Sequence, residues 1–372
     1  MSNATKLSQK LPWNLPSYLI GLFIFGFSCF PSLVSDLYLP YFFKPFTFVL
    51  RTITGKFNPA AGEWVYLIIC IVLIINLINF FWRNQSVLAV PRFWFIQMVQ
   101  VFNGLVKLYI VFELFWGLNY QKLSPANDFA LTVPAAYTEA QMDSMCLNLI
   151  QQMNVTRSKL ADSEITGLHF EGMTKETIHH FDELALGYPF LQYRRPVVKK
   201  AIFPDWGDYI GYTAFYQPLT GEAIVRAELP VLTQPFTISH EIAHQLGYAS
   251  ETEANFIAYV VGMESKHPLF NYSAQLQLFT YAQIAHLNYI AKRGDFKQFE
   301  KTIERNKQLL SPKVLADRKA IRKFFERKQD LQIPGSTAFY NSFLQWNQQA
   351  KGVESYNDVL LWALAYEAKK NP

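Results

Sequence analysis

Apolar residues are concentrated in the first third of the chain, and most charged residues lie beyond residue 120. Three apolar runs with few or no charges are long enough to cross about 30 Å of hydrocarbon as helices. They cover residues 17–35, 64–82 and 93–118. The pattern predicts a membrane domain over residues 1–120 and a globular domain over residues 121–372.

The third run is less purely apolar than the other two, because it carries Lys107 and Glu113. Each charge costs about 3 kcal/mol at the bilayer centre and less near a helix end. The run is long enough to absorb this cost, so we predict a span. A buried amphipathic helix lying on the globular domain is the alternative.

The segment between the first two runs, YFFKPFTFVLRTITGKF at residues 41–57, mixes aromatic residues with Lys44, Arg51 and Lys56. Helices of this composition lie in the headgroup layer of a bilayer, with the apolar face toward the acyl chains. We therefore predict an interfacial helix in this segment.

Basic residues are equally frequent on the two sides of the predicted spans and leave the orientation open. Lys6 and Lys10 precede the first run, and no small-x-small cleavage site follows it, as in an uncleaved anchor. A basic N-terminus favours a cytoplasmic start. Three crossings then predict a multi-pass protein with its globular domain outside the cytoplasm.

The globular domain has the periodicity of a mainly helical fold with a small sheet. Thr138 and Gln141 form a capping box before a run whose apolar residues recur every three or four positions. Strand-like alternation is confined to about residues 197–229, where YIGYTAFYQ and EAIVRAEL flank the turn PLTGE. The other predicted helices cover residues 174–187, 236–247, 251–264, 272–292, 296–309, 312–328, 336–350 and 355–369.

Composition changes this picture mainly at one basic region. Hydrophobic residues make up 51% of the chain and charged residues 17%, as expected for a membrane part joined to a globular part. Much of the net charge of +5 comes from residues 291–330, where acidic residues are interspersed at helical spacings. That pattern favours a solvated face on two helices over a nucleic-acid site. The three cysteines imply no disulfide framework.

The motif HEIAH at residues 240–244 is the clearest chemical signal in the chain. His240 and His244 are one helical turn apart, so their imidazoles leave one helix face with Cβ atoms about 5 to 6 Å apart. That separation allows two ring nitrogens to bind one Zn²⁺ ion at about 2.0 Å each. Glu241 lies beside the metal rather than on it, where it can accept a proton from zinc-bound water.

A catalytic zinc site needs a third protein ligand. The metzincin pattern would place a histidine where this chain has Ser250, whereas the gluzincin pattern takes a glutamate from the following helix. The segment ETEAN matches the latter: Glu251 and Asn255 share a helix face, so one can bind zinc while the other orients an imidazole. Glu253 is the second choice of ligand, because Ser250 and Glu253 also form a capping box.

The segment GYTAFYQPLTGEAIV precedes the motif and is predicted to contain a strand. Zinc peptidases place such a strand along the rim of the site, where a peptide backbone can pair with its edge. Tyr212, Tyr216 and Glu222 are therefore candidates for a substrate rim, although packing and a turn are the simpler interpretation of each. The other five histidines lack ligand spacing, and we predict that they are structural or exposed.

Five segments together resemble a family of uncharacterised bacterial membrane proteins that is defined by a domain of unknown function and regarded as a group of candidate zinc peptidases. They are FWGLNY at 115–120, TGEA at 220–223, HEIAHQLG at 240–247, EAN at 253–255 and GVESYN at 352–357. The resemblance implies a bacterial cytoplasmic membrane protein with N-terminal transmembrane helices and an α-rich α+β domain of the gluzincin, zincin-like type. It implies His240, Glu241, His244 and a glutamate of ETEAN as the site.

Two functions are compatible with these patterns. The first is a membrane-anchored zinc metallopeptidase that hydrolyses a peptide or protein substrate with one Zn²⁺ ion. The second is a non-catalytic membrane sensor or scaffold with a structural or vestigial zinc site. Structural zinc sites normally close the fourth position with cysteine or histidine, and no cysteine lies near the motif in the sequence, which favours catalysis.

Overall fold

Helices make up most of the computed structural model, which describes residues 13–329 and 356–370. The chain divides into unit 1, Met1–Phe46 with Ala61–Leu123, and unit 2, Thr47–Ala60 with Ser124–Pro372. The sequence pattern instead grouped residues 47–60 with the membrane domain. The predicted helix over residues 336–350, most of GVESYN and the two N-terminal lysines lie outside the described residues.

Unit 1 consists mainly of apolar helices. Its two longest hydrophobic stretches, Ala61–Val87 and Pro91–Phe115, are long and apolar enough to cross a membrane. The structure has helices α1 at Leu15–Ser28, α2 at Lys44–Thr54, α3 at Ala61–Asn84 and α4 at Pro91–Phe115, with a short helix at Pro31–Leu33 and a π-helix at Val34–Phe43 between α1 and α2. Helix α2 continues into unit 2 from Thr47 onward.

The first predicted span, residues 17–35, is wrong as a single straight helix. Helix α1 ends at Ser28, and the chain then bends by 99° into the stretch Pro31–Thr54. Pro31 explains the break, because proline disfavours helical geometry at the preceding Phe30, which has φ −119° and ψ 85°. The described chain thus has two helices able to span a membrane, or three if the bent pair counts as one span.

Unit 2 is built around α-helices that pack on one another, and the capping box of Thr138 and Gln141 is confirmed at the start of the first long one. The basic region forms two helices, as predicted. The helices are α5 at Glu139–Lys159, α6 at Phe170–Ala185, α7 at Pro204–Ile210, α8 at Gln234–Gln245, α9 at Glu251–Glu264, α10 at Pro268–Lys292, α11 at Phe296–Leu309, α12 at Pro312–Gln329 and α13 at Tyr356–Lys370, with short helices at Pro125–Asp128 and Asp162–Gly167.

Helix α9 lies at the centre of the unit 2 core and packs against α8, α10 and α13. Its middle residues Phe256, Ile257 and Val260 are completely buried. A helix that is apolar on nearly all sides belongs in the interior, because no face of it gains from contact with water. The α8–α9 pair is therefore held between other elements rather than on the surface.

A three-stranded sheet supports α8 from one side. Its strands are β1 at Val198–Lys200, β2 at Ala214–Gln217 and β3 at Glu222–Val225. The order is β1-β3-β2, with β1 parallel and β2 antiparallel to the central β3. The sheet lies in the predicted region, and β2 forms one of its edges.

The predicted strand over YIGYTAFYQ is wrong in its first half. Tyr209 and Ile210 end helix α7, which begins at Pro204 and stops at Gly211 with a left-handed φ of 92°. Proline at the first turn and glycine just beyond the last turn are the residues that begin and end helices. Pro204 and Gly211 therefore determine the helix, and the alternating pattern of Tyr209 and Ile210 does not produce a strand there.

Candidate metal centre

The HEIAH motif lies on α8, and a tight turn at residues 246–250 brings α9 back beside it. Gly247 has φ 94°, and Tyr248 donates its N–H to the Ala243 carbonyl at 3.1 Å, the bonding pattern of a Schellman cap. Ser250 then caps α9 in a capping box with Glu253. Gly247 therefore closes α8 in a left-handed cap, and the chain reverses direction within five residues.

The turn brings together His240, His244 and Glu251. The Nε2 atoms of the two imidazoles are 3.1 Å apart, and Glu251 oxygens lie 3.2 Å from His240 Nε2 and 3.8 Å from His244 Nε2. Ligands that bind zinc at 2.0–2.1 Å with tetrahedral angles are about 3.3 Å from one another. The three donor atoms therefore have the spacing that one tetrahedral metal ion requires.

Each imidazole is oriented by a hydrogen bond at its other ring nitrogen. His244 Nδ1 lies 2.6 Å from the carbonyl oxygen of Tyr248, and His240 Nδ1 lies 2.9 Å from Asn255 Oδ1. Because a carbonyl oxygen only accepts, Nδ1 of each ring carries a proton, which leaves Nε2 as the ring atom available to bind a metal ion. The Tyr248 hydroxyl donates to Asp128 at 3.0 Å, which holds the turn in position.

Glu241 is buried next to this cluster, with 4% of its surface exposed. Among residues 13–329 and 356–370, none forms a hydrogen bond with its Oε2 atom. Burial raises the pKa of Glu241 to about 8. Buried carboxyl groups are normally hydrogen-bonded, and a buried carboxyl oxygen without such a partner next to three converging donors is typical of a functional site.

The two imidazoles differ in their protonation. Burial lowers the pKa of His244 to about 4, so this ring is neutral. Burial also acts against the charged form of His240, but its hydrogen bond to Glu251 and that carboxylate's charge raise the pKa of His240 to about 9. Without a cation, the proton on His240 balances the charge of Glu251, and a metal ion that bound here would replace that proton.

The cluster is open to solvent on one side. The Glu251 side chain is 30% exposed, His240 is 13% exposed and His244 is 7% exposed. Glu253, the second-choice ligand, instead accepts a hydrogen bond from the Ser250 backbone N–H at 3.4 Å. The structure therefore has Glu251, and not Glu253, beside the imidazoles.

The predicted substrate-rim residues lie on and around β2 and β3. Tyr212 is half-buried, and its ring packs edge-on against Phe215, while Tyr216 is buried. Glu222 is completely buried and pairs with Lys199 at 2.6 Å, so it does not line an open substrate rim as the sequence pattern suggested. Glu222 lies in strand β3 rather than in the turn, and its ion pair is structural because a charge removed from water needs such a partner.

Gln245, the residue after His244, lies in a polar network that the sequence pattern does not predict. Gln245 Nε2 donates to the carbonyls of Val197 at 2.8 Å and Gly221 at 2.7 Å, and its Oε1 accepts from the Tyr193 hydroxyl. Arg51 donates to the Gln245 carbonyl at 3.1 Å. These contacts fix the C-terminal end of α8 against the sheet, and no local pattern in the sequence indicates them.

Comparison with known proteins identifies a family and no activity. A family model described as "Protein of unknown function (DUF3810)" matches residues 38–364. No curated protein and no solved structure matches the chain. The expected relation to a family defined by a domain of unknown function is confirmed.

Proposed function

Since the chain belongs to the DUF3810 family of proteins of unknown function, whose description names no activity, we propose from the site itself that it is a membrane-anchored zinc metallopeptidase. The observation that carries the proposal is the convergence of three metal-binding donors. It is supported by the buried Glu241, whose Oε2 atom has no hydrogen-bond partner in the described part of the chain. His240, His244 and Glu251 would hold the ion. This ligand set and the α8–α9 pair support a gluzincin-like domain.

The chemistry is hydrolysis of a peptide bond. When bound, Zn²⁺ acts as a Lewis acid that brings the pKa of a coordinated water to about 7 and polarises a carbonyl. Glu241 accepts a proton from the attacking water and passes it to the amide nitrogen as the carbon–nitrogen bond breaks. A metal ion bound by the cluster would place positive charge near Glu241, and that charge would favour the ionised carboxylate that this role needs.

Strand β2 is the element against which an extended substrate would bind. It forms an edge of the sheet and packs against α8, the helix that carries both histidines. An extended peptide can add to such an edge through main-chain hydrogen bonds. The proposed substrate is therefore a peptide or protein segment in an extended conformation.

The proposed membrane topology is based on the two chain segments that make up unit 2. Thr47–Ala60 and Ser124–Pro372 belong to the same unit, and we propose that both segments lie on one side of a membrane. Between them are the stretches Ala61–Val87 and Pro91–Phe115. Two crossings return the chain to its starting side, which supports a membrane-spanning hairpin of α3 and α4. We propose that this side is extracytoplasmic, and protease accessibility of unit 2 in intact cells tests it.

The activity is tested on the purified full-length protein with a peptide library and a metal analysis. The proposal expects hydrolysis that a chelator abolishes and zinc restores. Glu241→Gln should retain zinc, but its rate of peptide hydrolysis should fall by about 10²–10⁴-fold, because a general base contributes that much. Hydrolysis at the wild-type rate by Glu241→Gln would refute the assignment. Zinc binding without hydrolysis of any library member would instead favour the sensor or scaffold.

A further inference from the structure

Residues 47–60 have polar side chains on the face that packs into unit 2 and apolar side chains on the opposite face. The inner face consists of Thr47, Arg51 and Thr54, which are 1%, 5% and 8% exposed. The outer face, which we call the docking face, consists of Phe48, Val49, Ile53 and Phe57, which are 37%, 53%, 52% and 60% exposed. A surface helix of a water-soluble domain has the reverse arrangement.

Polar groups of the inner face donate hydrogen bonds to backbone carbonyls of unit 2. Arg51 donates to the carbonyls of Gln245 and Arg194, each at 3.1 Å, and Thr54 Oγ1 donates to the Thr220 carbonyl at 3.0 Å. Hydrogen bonds from a buried guanidinium to carbonyl oxygens offset part of the free-energy cost of removing its charge from water. The orientation of the helix is therefore set by specific contacts and not by its apolar residues.

The docking face has the properties of a surface in contact with lipid. Its neighbour Thr52 donates its hydroxyl to the Phe48 carbonyl at 2.8 Å, so that polar group is satisfied within the helix. Lys56 is exposed beside Phe57 at the end of the segment. Aromatic and aliphatic residues with a flanking lysine are typical of helices that lie in the headgroup layer.

The chain itself indicates the occupant of the docking face. Ala60 is the last residue of the segment that packs with unit 2, and the next residue, Ala61, begins a stretch apolar enough to cross a membrane. No spacer separates the two. We propose that the docking face is seated in the interfacial layer of the bilayer and holds unit 2 at the membrane surface.

A docking face seated in the bilayer would be linked to the candidate metal centre through Arg51 and Gln245. Arg51 lies between the docking face and the carbonyl of Gln245, which directly follows the ligand residue His244. The site then meets peptide segments that lie close to the membrane, such as the membrane-proximal parts of anchored proteins. That consequence rests on the proposed peptidase function, whereas the docking of the face does not.

The test places a fluorescent label at single positions of the full-length protein. In a background with its three native cysteines replaced, Val49→Cys, Ile53→Cys and Phe57→Cys are each labelled with bimane. Leu186→Cys and Phe296→Cys are matched controls, because both residues are apolar and strongly exposed elsewhere in unit 2, at 89% and 68%. The proteins are reconstituted in vesicles of phosphatidylcholine and phosphatidylglycerol.

Two quenchers separate the outcomes. We expect nitroxide-labelled acyl chains to quench the three docking-face labels several-fold more strongly than the controls, and aqueous iodide to quench them less. Equal iodide quenching at all five positions would overturn the proposal, because the face would lie in water. Labels on the face that neither quencher reaches would also overturn it, since a protein partner or second copy would then cover the face. Loss of peptidase activity alone would affect neither result.

Discussion

Two of the histidine–carboxylate clusters in the described part of unit 2 differ in what balances their charge. In the first, Glu251 lies against the Nε2 atoms of His240 and His244. In the second, buried His286 lies 3.6 Å from Asp143 and 4.0 Å from Glu139. Histidine and carboxylates side by side are thus not sufficient to identify a metal site.

The second cluster is already neutralised by arginines. Arg305 pairs with Asp143, and Arg293 lies 2.7 Å from Glu139. The hydrogen bond from Arg305 lowers the pKa of Asp143, and burial lowers the pKa of His286, so this ring is neutral. Such a cluster is structural. The first cluster instead has converging donors, two oriented rings and a carboxylate, and we propose that a divalent cation completes this set.

Removing a histidine should produce the largest difference between the clusters. We expect His240→Ala and His244→Ala to weaken zinc binding by more than about 100-fold, because loss of a ligand exceeds the 10–100-fold effect of an outer hydrogen bond. His286→Ala is the matched control and should bind zinc like the wild type. Competition with a chromophoric chelator measures all three. Equal zinc loss in His286→Ala would contradict the comparison.

Removal of the two neighbouring glutamates sharpens the assignment of the third ligand. Glu251→Ala should weaken zinc binding almost as strongly as loss of a histidine, since it deletes the anionic donor beside both rings. Glu253→Ala should retain zinc and lose about 1 kcal/mol of stability, the usual contribution of a helix cap. Zinc titration and chemical denaturation of both variants distinguish them. The reverse outcome would make Glu253 the ligand.

The hydrogen bond from His240 to Asn255 predicts a smaller effect. Asn255→Leu removes the acceptor that fixes the ring, so zinc binding should weaken by about 10–100-fold while the ligand set stays intact. Asn255→Asp keeps an acceptor oxygen and should bind more tightly than Asn255→Leu. Identical affinities for Asn255→Leu and the wild type would show that this contact does not orient the ring.

Zinc affinity should also depend on pH. With a pKa of about 9, His240 carries a proton at neutral pH that zinc must displace. Below that pKa, affinity should fall about tenfold for each unit by which the pH is lowered, and above it this dependence should end. Chelator competition at a series of pH values measures the slope. A flat profile between pH 6 and 8 would contradict the proposed protonation of the ring.

Most of the candidate site was predictable because its members are close in sequence. The spacing of His240 and His244, the cap at Gly247 and the shared face of Glu251 and Asn255 depend on helix geometry alone. All of these lie within residues 240–255. The structure has the side chains at the positions that this geometry predicts, while their catalytic and metal-binding roles remain predictions.

The failures occurred where distant residues decide the structure. Arg51 contacts Gln245 across 194 positions, so residues 47–60 pack with unit 2 in a way no local pattern reveals. Glu222 is buried because Lys199 neutralises it from a neighbouring strand. The break after Ser28 did have a local signal in Pro31, but a uniformly apolar run concealed it. Hydropathy therefore identifies an apolar segment, but it does not show whether that segment is one continuous helix.

The central claim is that two imidazoles and one carboxylate bind a single divalent cation, and X-ray absorption at the zinc edge tests it most directly. For purified full-length protein loaded with zinc, we predict one zinc per chain with only nitrogen and oxygen ligands at about 2.0–2.2 Å, two of them imidazoles. The signal should disappear in the His240→Ala/His244→Ala double variant. Substoichiometric zinc in the wild type, or an unchanged spectrum in the double variant, would contradict the claim.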